Sequence, residues 1–469
     1  MKPICDMVMV CPSPENVVRF IAIVSELKKE DVQELQQYFL FPFITHIRSA
    51  EIKTKYEQQR VIIDAMRVVL EKITVTSFEM CMKIETGLLT TIFDKTKPGM
   101  IADIPEELKL SIMKCLTALM LHIDSPIRLK LLNTQVPLLA QTVFVSVHMA
   151  KLEKFRALRL AAIHNVTAHT ITHEQLTNDK YHLKESNLEP LVLDMLSGIL
   201  PGVLAALQDV AMCKENPGHA IVVAALNATH RVLCLTMHDK RLQKKTDLTP
   251  QDFANMIAVK CKPVDNDVSR KAKDFVRRSP EWYAMAGEKL TLVVRSLVPL
   301  RTHEHYKVRL ELAVLCSRIL NECNAALQPS IPVVLDVLMS LARDPQPEVA
   351  ELCGRAVDSY LAATPPSGAR DTLECLRDNL LATLTNLPRI LNNIDTGRKL
   401  AALNLVHGYV RALSGGARPQ RLTAAVTSRA TLHALCAALR HAATHRTHPA
   451  LLVPRTQIGT RVSTLFRSG

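Results

Sequence analysis

The residues of this chain that could do chemistry gather at a few places. His303-Glu304-His305 offers two imidazoles and a carboxylate within three positions. A metal site needs further ligands at helical spacing, and none follows, so the triplet reads as a polar turn between helices. His441, His445 and His448 lie in a stretch without acidic residues and form no better ligand set. Twelve cysteines are scattered without a C-x-x-C pair, as expected for small apolar side chains in a reducing compartment. No glycine-rich phosphate loop, G-x-S-x-G elbow or H-E-x-x-H helix occurs, so the expectation is a protein without catalytic residues, cofactor or metal. Arg309 and Asp344 form the more telling pair. An arginine early in one helix and an aspartate in the turn before a later helix can join as a ladder between repeats, or the arginine can face a partner. Trp282, the one tryptophan, can pack on its helix pair or anchor an interface. Arg398 and Lys399, early in another helix, are candidates for the ladder or for a partner surface.

The elements that must position these residues are amphipathic helices. Across His305–Tyr360, Val308, Leu312, Leu315, Cys316 and Ile319 share one helical face. Leu335, Leu338 and Met339 form a second stripe behind Pro332, placed as a first-turn proline. Val349, Leu352, Cys353, Ala356, Val357 and Tyr360 form a third. Val308 and Val349 stand 41 residues apart, within the roughly 40–47 residue period of HEAT-type repeats. Such pairs bury their stripes only by stacking on neighbours, so the expected fold is all-α, a HEAT/armadillo-like α-solenoid of stacked antiparallel helix pairs. Helices are expected over 15–28 and 31–47, the latter capped by Asp31 and ended or kinked near Leu40 by Pro42. Second helices of successive pairs are expected to start near 107, 154, 218, 304, 346 and 396.

Composition sets the domain limits. Aromatics are 4% and glycines number 14, which disfavours a β-rich fold. The net charge of +13 is uneven: residues 414–469 hold eight arginines and no acid, while the first 413 carry 50 basic and 45 acidic groups. We therefore expect an N-terminal extension over 1–14, a solenoid over 15–413 with a charged insertion around 239–280, and a basic tail or divergent repeat over 414–469. The tail's arginines are not interleaved with aromatics, which argues against nucleic-acid binding. A nearly neutral body argues against a transport receptor with an acidic inner face. Leu191–Leu207, the most apolar stretch, is interrupted by Asp194, Gly198 and Pro201, so no membrane span is expected. The N-terminus lacks the pattern of a secretory signal. Asn165 and Asn227 head glycosylation sequons on expected helices and read as chance matches.

Several segments, in order, resemble the N-terminal part of the Tel-two-interacting protein one family. They are VQELQQYFLFPF (Val32–Phe43), PEELKLSIMKCLTALM (Pro105–Met120), GHAIVVAALNATHRVL (Gly218–Leu233), GEKLTLVV (Gly287–Val294), HYKVRLELAVL (His305–Leu315) and LPRILNNIDTGRKLAALNLVHGY (Leu387–Tyr409). The resemblance implies the HEAT-repeat subunit of the Triple-T cochaperone complex, whose partners are the other two Triple-T subunits. It also implies large phosphatidylinositol-3-kinase-related kinases as clients, with growth and DNA-damage signalling downstream, and an indirect link to Hsp90-type chaperone machinery. A scaffold of this kind is expected in the cytoplasm and also in the nucleus. A solenoid adaptor or nuclear transport receptor is the competing expectation.

Overall fold

The structure, a computed structural model, describes residues 2–49, 52, 55–93, 100–171, 188–242, 280–363, 366–391, 396–414 and isolated positions between 429 and 440. Helices dominate these residues, and their only β pairing is two single-residue bridges, Val75 with Ile123 and Phe93 with Ile101. The histidines at 441, 445 and 448, most of the 239–280 insertion and most of the tail lie outside the described residues. The chain divides into two units: Met1–Thr236 with Lys245–Trp282, and Met237–Lys244 with Tyr283–Gly469.

The first unit begins with α1 (Lys2–Val10), which corrects the expectation of an extension over 1–14. Ile4, Cys5 and Val8 are buried, because the apolar face of α1 packs on α4. Helix α2 (Pro14–Glu26) starts where Ser13 accepts from the Asn16 amide and Pro14 fits the first turn. The expected helix over 31–47 is in fact two, α3 (Lys29–Glu34) and α4 (Gln36–Arg48), broken at Leu35. Asp31 sits inside α3 rather than capping it, and Pro42 lies inside α4 without ending it. A proline costs an interior helix about 3 kcal/mol. Here Phe39, Leu40, Phe43 and Ile47 are buried around it, and Phe20 makes edge contacts with Phe39 and Phe43 at 5.8 and 4.9 Å. That packing outweighs the lost hydrogen bond.

Then come α5 (Tyr56–Leu70), α6 (Phe78–Ile92), α7 (Glu106–Leu121), α8 (Ser125–Thr134), α9 (Val136–Leu152), α10 (Arg156–Thr170), α11 (Leu188–Ala211) and α12 (His219–Met237). Within pairs, α4 packs on α5, α6 on α7 and α9 on α10. Between pairs, α5 packs on α7 and α7 on α10, while α4 meets α6 and α9 meets α11. This is the two-layered stacking of a helical-repeat solenoid. Helices Leu188–Ala211 and His219–Arg241 have the length and apolarity of a membrane span, contrary to expectation. Pro201 is absorbed within α11, whose Leu196, Leu200, Leu204 and Leu207 are buried inside the protein.

The second unit holds α13 (Pro280–Leu297) from Tyr283 on, then α14 (Tyr306–Glu322), α15 (Ile331–Leu341), α16 (Pro347–Ala363), α17 (Pro366–Leu391) and α18 (Thr396–Ser414). The stripe residues Val308, Leu312, Cys316, Ile319, Leu335, Leu338, Val349 and Cys353 are all buried, whereas Leu352 and Tyr360 are half-buried. Helix α14 packs on both α15 and α16. The last pair departs from simple stacking: α18 lies mainly against α15 and only lightly on α16. Gly408 makes that approach possible, since a Cβ there would stand 2.6 Å from the Met339 Cβ and 3.0 Å from its carbonyl oxygen.

Candidate interaction surface

Arg309 and Asp344 meet. Arg309, at the fourth position of α14, donates from Nε and Nη2 to the two Asp344 oxygens at 2.6 and 2.9 Å. Its Nη1 donates to the carbonyls of His303 and Glu304 at 2.7 and 3.0 Å. Asp344 also accepts from the Gln346 amide at 2.9 Å and so holds the start of α16. The two side chains are 12% and 3% exposed, so the pair is nearly dry and geometrically fixed. The same turn uses its histidines as local acceptors: His303 Nδ1 takes the His305 amide, and His305 Nδ1 takes the Lys307 amide.

The fourth position recurs. Lys109 occupies it in α7 and bonds Glu153, in the turn before α10, at 2.8 Å. Arg159 occupies it in α10 and donates to the Ala150 carbonyl at 2.8 Å. Lys399 occupies it in α18 and is 7% exposed. Burial therefore corrects the expectation of Lys399 as a partner-facing residue; its stem is enclosed where the ladder cations of the other helices sit. Arg398 beside it is exposed, and Trp282 is half-buried in the first turn of α13. The Lys109 and Arg159 positions escaped sequence reasoning. The signal that could have found them is a basic residue three places after the start of an otherwise apolar second helix.

A surface of different character opens at the N-terminal end of the first unit. Met9 of α1, Leu35 at the α3–α4 joint, and Tyr38, Phe41 and Pro42 of α4 line a groove of about 580 Å³. Phe41 is 61% exposed and Leu35 42%, and the two share one groove rather than standing singly. Asp6 and Glu34 stand in the lining, without a basic residue among the lining groups. The Tyr38 hydroxyl donates to Asp6 at 3.1 Å. The break at Leu35 creates this surface: α4 turns Phe39 and Phe43 into the core and leaves Tyr38 and Phe41 on the opposite face. Sequence reasoning missed it because aromatics on both faces of one short helix blur its stripe.

Ladders, two-layered stacking and a solvent-facing apolar groove define a helical-repeat protein built to present surfaces. Residues 1–345 match the family described as the TTI1 N-terminal TPR domain, and residues 376–466 the TELO2-interacting protein 1 homologue second TPR domain. The chain belongs to the TTI1 family. It is 26% identical over 418 residues to the TELO2-interacting protein 1 homologs of Homo sapiens and Mus musculus. Those matches cover 88% of this chain but 36% and 37% of the relatives, so the chain spans little more than a third of their length. A crystal structure of an engineered protein is 15% identical, covering 94% of this chain and 99% of that one, with a TM-score of 0.33 that carries no weight.

Proposed function

We propose that this chain is a non-enzymatic scaffold of a Triple-T-like assembly, acting in the cytoplasm and nucleus and binding neither nucleic acid nor membrane. In that role it holds the other two subunits and supports folding and stability of phosphatidylinositol-3-kinase-related kinases, with Hsp90-type machinery engaged through its partners. The relatives are named for interaction with TELO2, and the counterpart of that protein is the first partner assigned to this chain. The observation carrying the reading is the α1–α4 groove in a chain of this family: exposed Leu35 and Phe41 with Asp6 and Glu34 in the lining. Its chemistry suits an amphipathic helix of a partner subunit, with apolar residues toward the groove and basic residues at its margins.

The test is co-purification of the chain with its two partner subunits, comparing wild type with Leu35→Ser/Phe41→Ser. Both side chains are exposed, so the variant retains its helical signal. Partner recovery by wild type, reduced at least tenfold in the variant, is expected. Undiminished recovery removes the groove from the interface, and failure of a full-length relative to recover either subunit overturns the scaffold reading.

A further inference from the structure

The first unit contains a buried polar seam that neither the ladder nor the groove uses. Thr117 of α7 donates to Asn165 of α10 at 3.2 Å, and Asn165 donates to Ser146 of α9 at 2.8 Å. Ser146 donates to the Thr142 carbonyl at 2.7 Å, and the Thr142 hydroxyl reaches Glu85 of α6 at 3.2 Å. His169 of α10 closes the seam: its Nδ1 lies 2.9 Å from the Asn165 carbonyl, and its Nε2 stands 3.9 Å from Glu85 Oε1. The Glu85 and His169 side chains are both fully buried. Glu85 Oε2 and His169 Nε2 have no hydrogen-bond partner.

Proton placement follows from these contacts. A backbone carbonyl only accepts, so His169 Nδ1 carries the hydrogen, and Nε2 of a neutral ring presents a lone pair. That lone pair faces a carboxyl group. A carboxylate there would set two acceptors against each other in a dry interior, a costly arrangement. We infer that Glu85 and His169 share a single proton, held as a neutral Glu85 carboxylic acid facing a neutral His169 imidazole. At 3.9 Å the two atoms stand beyond hydrogen-bond distance, so their pairing is electrostatic, in an interior that no solvent screens. The neighbouring ionisable groups agree. Arg128 of α8, buried and donating to the Met120 carbonyl, opposes an imidazolium at His169. Cys81, one turn before Glu85 on α6, is held as a thiol by burial. Arg48 of α4 runs past the neighbouring Gly87.

The consequence is a pair that adds no pH dependence of its own to stability. Burial pushes the Glu85 carboxyl up to about 7 and the His169 imidazole down to about 4. The unfolded chain, with an ordinary glutamate and histidine, also carries one proton on this pair between roughly pH 4.5 and 6.5, but on the histidine. Folding moves the proton from His169 to Glu85 without taking up or releasing one, so the linkage slope vanishes across that window. Each partner alone would produce a slope, and the two slopes have opposite sign. A carboxyl raised on folding loses its stabilising contribution as pH climbs toward 7. An imidazole lowered on folding loses its contribution as pH falls toward 4.

Hydrogen-exchange protection of α6 and α10 in the full chain, corrected for intrinsic exchange and followed from pH 4.5 to 6.5, tests this. Burial also lowers His164 of α10 and His122 at the end of α7, so each variant's profile is read against that of wild type. His169→Gln, which leaves Glu85 alone, should lose protection by up to about tenfold per pH unit as pH rises; Glu85→Gln, which leaves His169 alone, should gain up to about tenfold per unit. Profiles in both variants that run parallel to wild type's would overturn the proposal. Histidine nitrogen chemical shifts in the wild-type chain give a second arm independent of the variants' folding. A neutral Nδ1–H ring at pH 6 supports the shared proton, and an imidazolium there rules it out.

Discussion

Glu85 and Asp336 are carboxyl groups set into helix packing, one in each unit, the first fully buried and the second half-buried, and they are handled differently. Glu85 meets a base, His169, and the seam around it is made of neutral hydroxyls and an amide. Asp336 of α15 instead accepts from the Tyr409 hydroxyl of α18 and feels the attraction of Arg301. Burial raises Asp336 to about 6 all the same, with the tyrosine and the arginine pulling in the opposite direction. A donor and a cation favour the charged acid, whereas a base favours its neutral form, so the two sites answer pH differently. The ladders differ in the same spirit. Lys109 offers Glu153 a single contact, while Arg309 clamps Asp344 with two nitrogens and ties down two carbonyls with a third.

The comparison is broken most forcefully by Leu312→Asp, which places an unpartnered charge among buried apolar side chains of the second unit. It should cost about 3–5 kcal/mol and abolish hydrogen-exchange protection around residues 300–360. Helices α7 and α10 of the first unit should keep theirs, because repeat arrays pass damage chiefly to nearest neighbours. Equal loss in both units would show that they unfold together.

A smaller change separates the two acids. Asp336 has a folded value above its unfolded one, so the folded chain holds its proton through roughly pH 4–6 and stability contributed there is lost as pH rises. Protection of α15 and α18 should therefore fall over that range, and Asp336→Asn should remove the fall. Tyr409→Phe, which takes away a donor, should cost about 1–3 kcal/mol and move the fall to higher pH. A pH profile unchanged by Asp336→Asn would reject the assignment.

The ladders give the finest contrast. Asp344→Ala removes a bidentate acceptor and the hold on Gln346, and should cost about 2–3 kcal/mol. Glu153→Ala removes a single contact and leaves the nearly buried Lys109 ammonium without its acid, and should cost about 1–2 kcal/mol. Chemical denaturation of the two variants side by side checks the order, and equal costs would mean that the bidentate geometry contributes nothing.

Much of this molecule was legible in its residues. Apolar side chains at i, i+3, i+4 and i+7 declare a helix because 3.6 residues complete a turn, and that rule needs only local chain geometry. It located α7, α10, α12, α14, α16 and α18, and the pairing of a cation early in one helix with an acid before the next suggested where Arg309 and Asp344 meet. Local rules failed where packing decided. Pro42 ends or kinks a helix by propensity, yet buried neighbours carry α4 through it. Lys399 reads as a surface cation from its charge, yet its place in α18 encloses it. The Glu85–His169 contact joins residues 84 positions apart, and nothing in either helix's own pattern announces the other. Periodicity determines which face of each helix must be covered. Only the stacking of pairs decides which polar group ends up opposite which, and so where a buried proton resides.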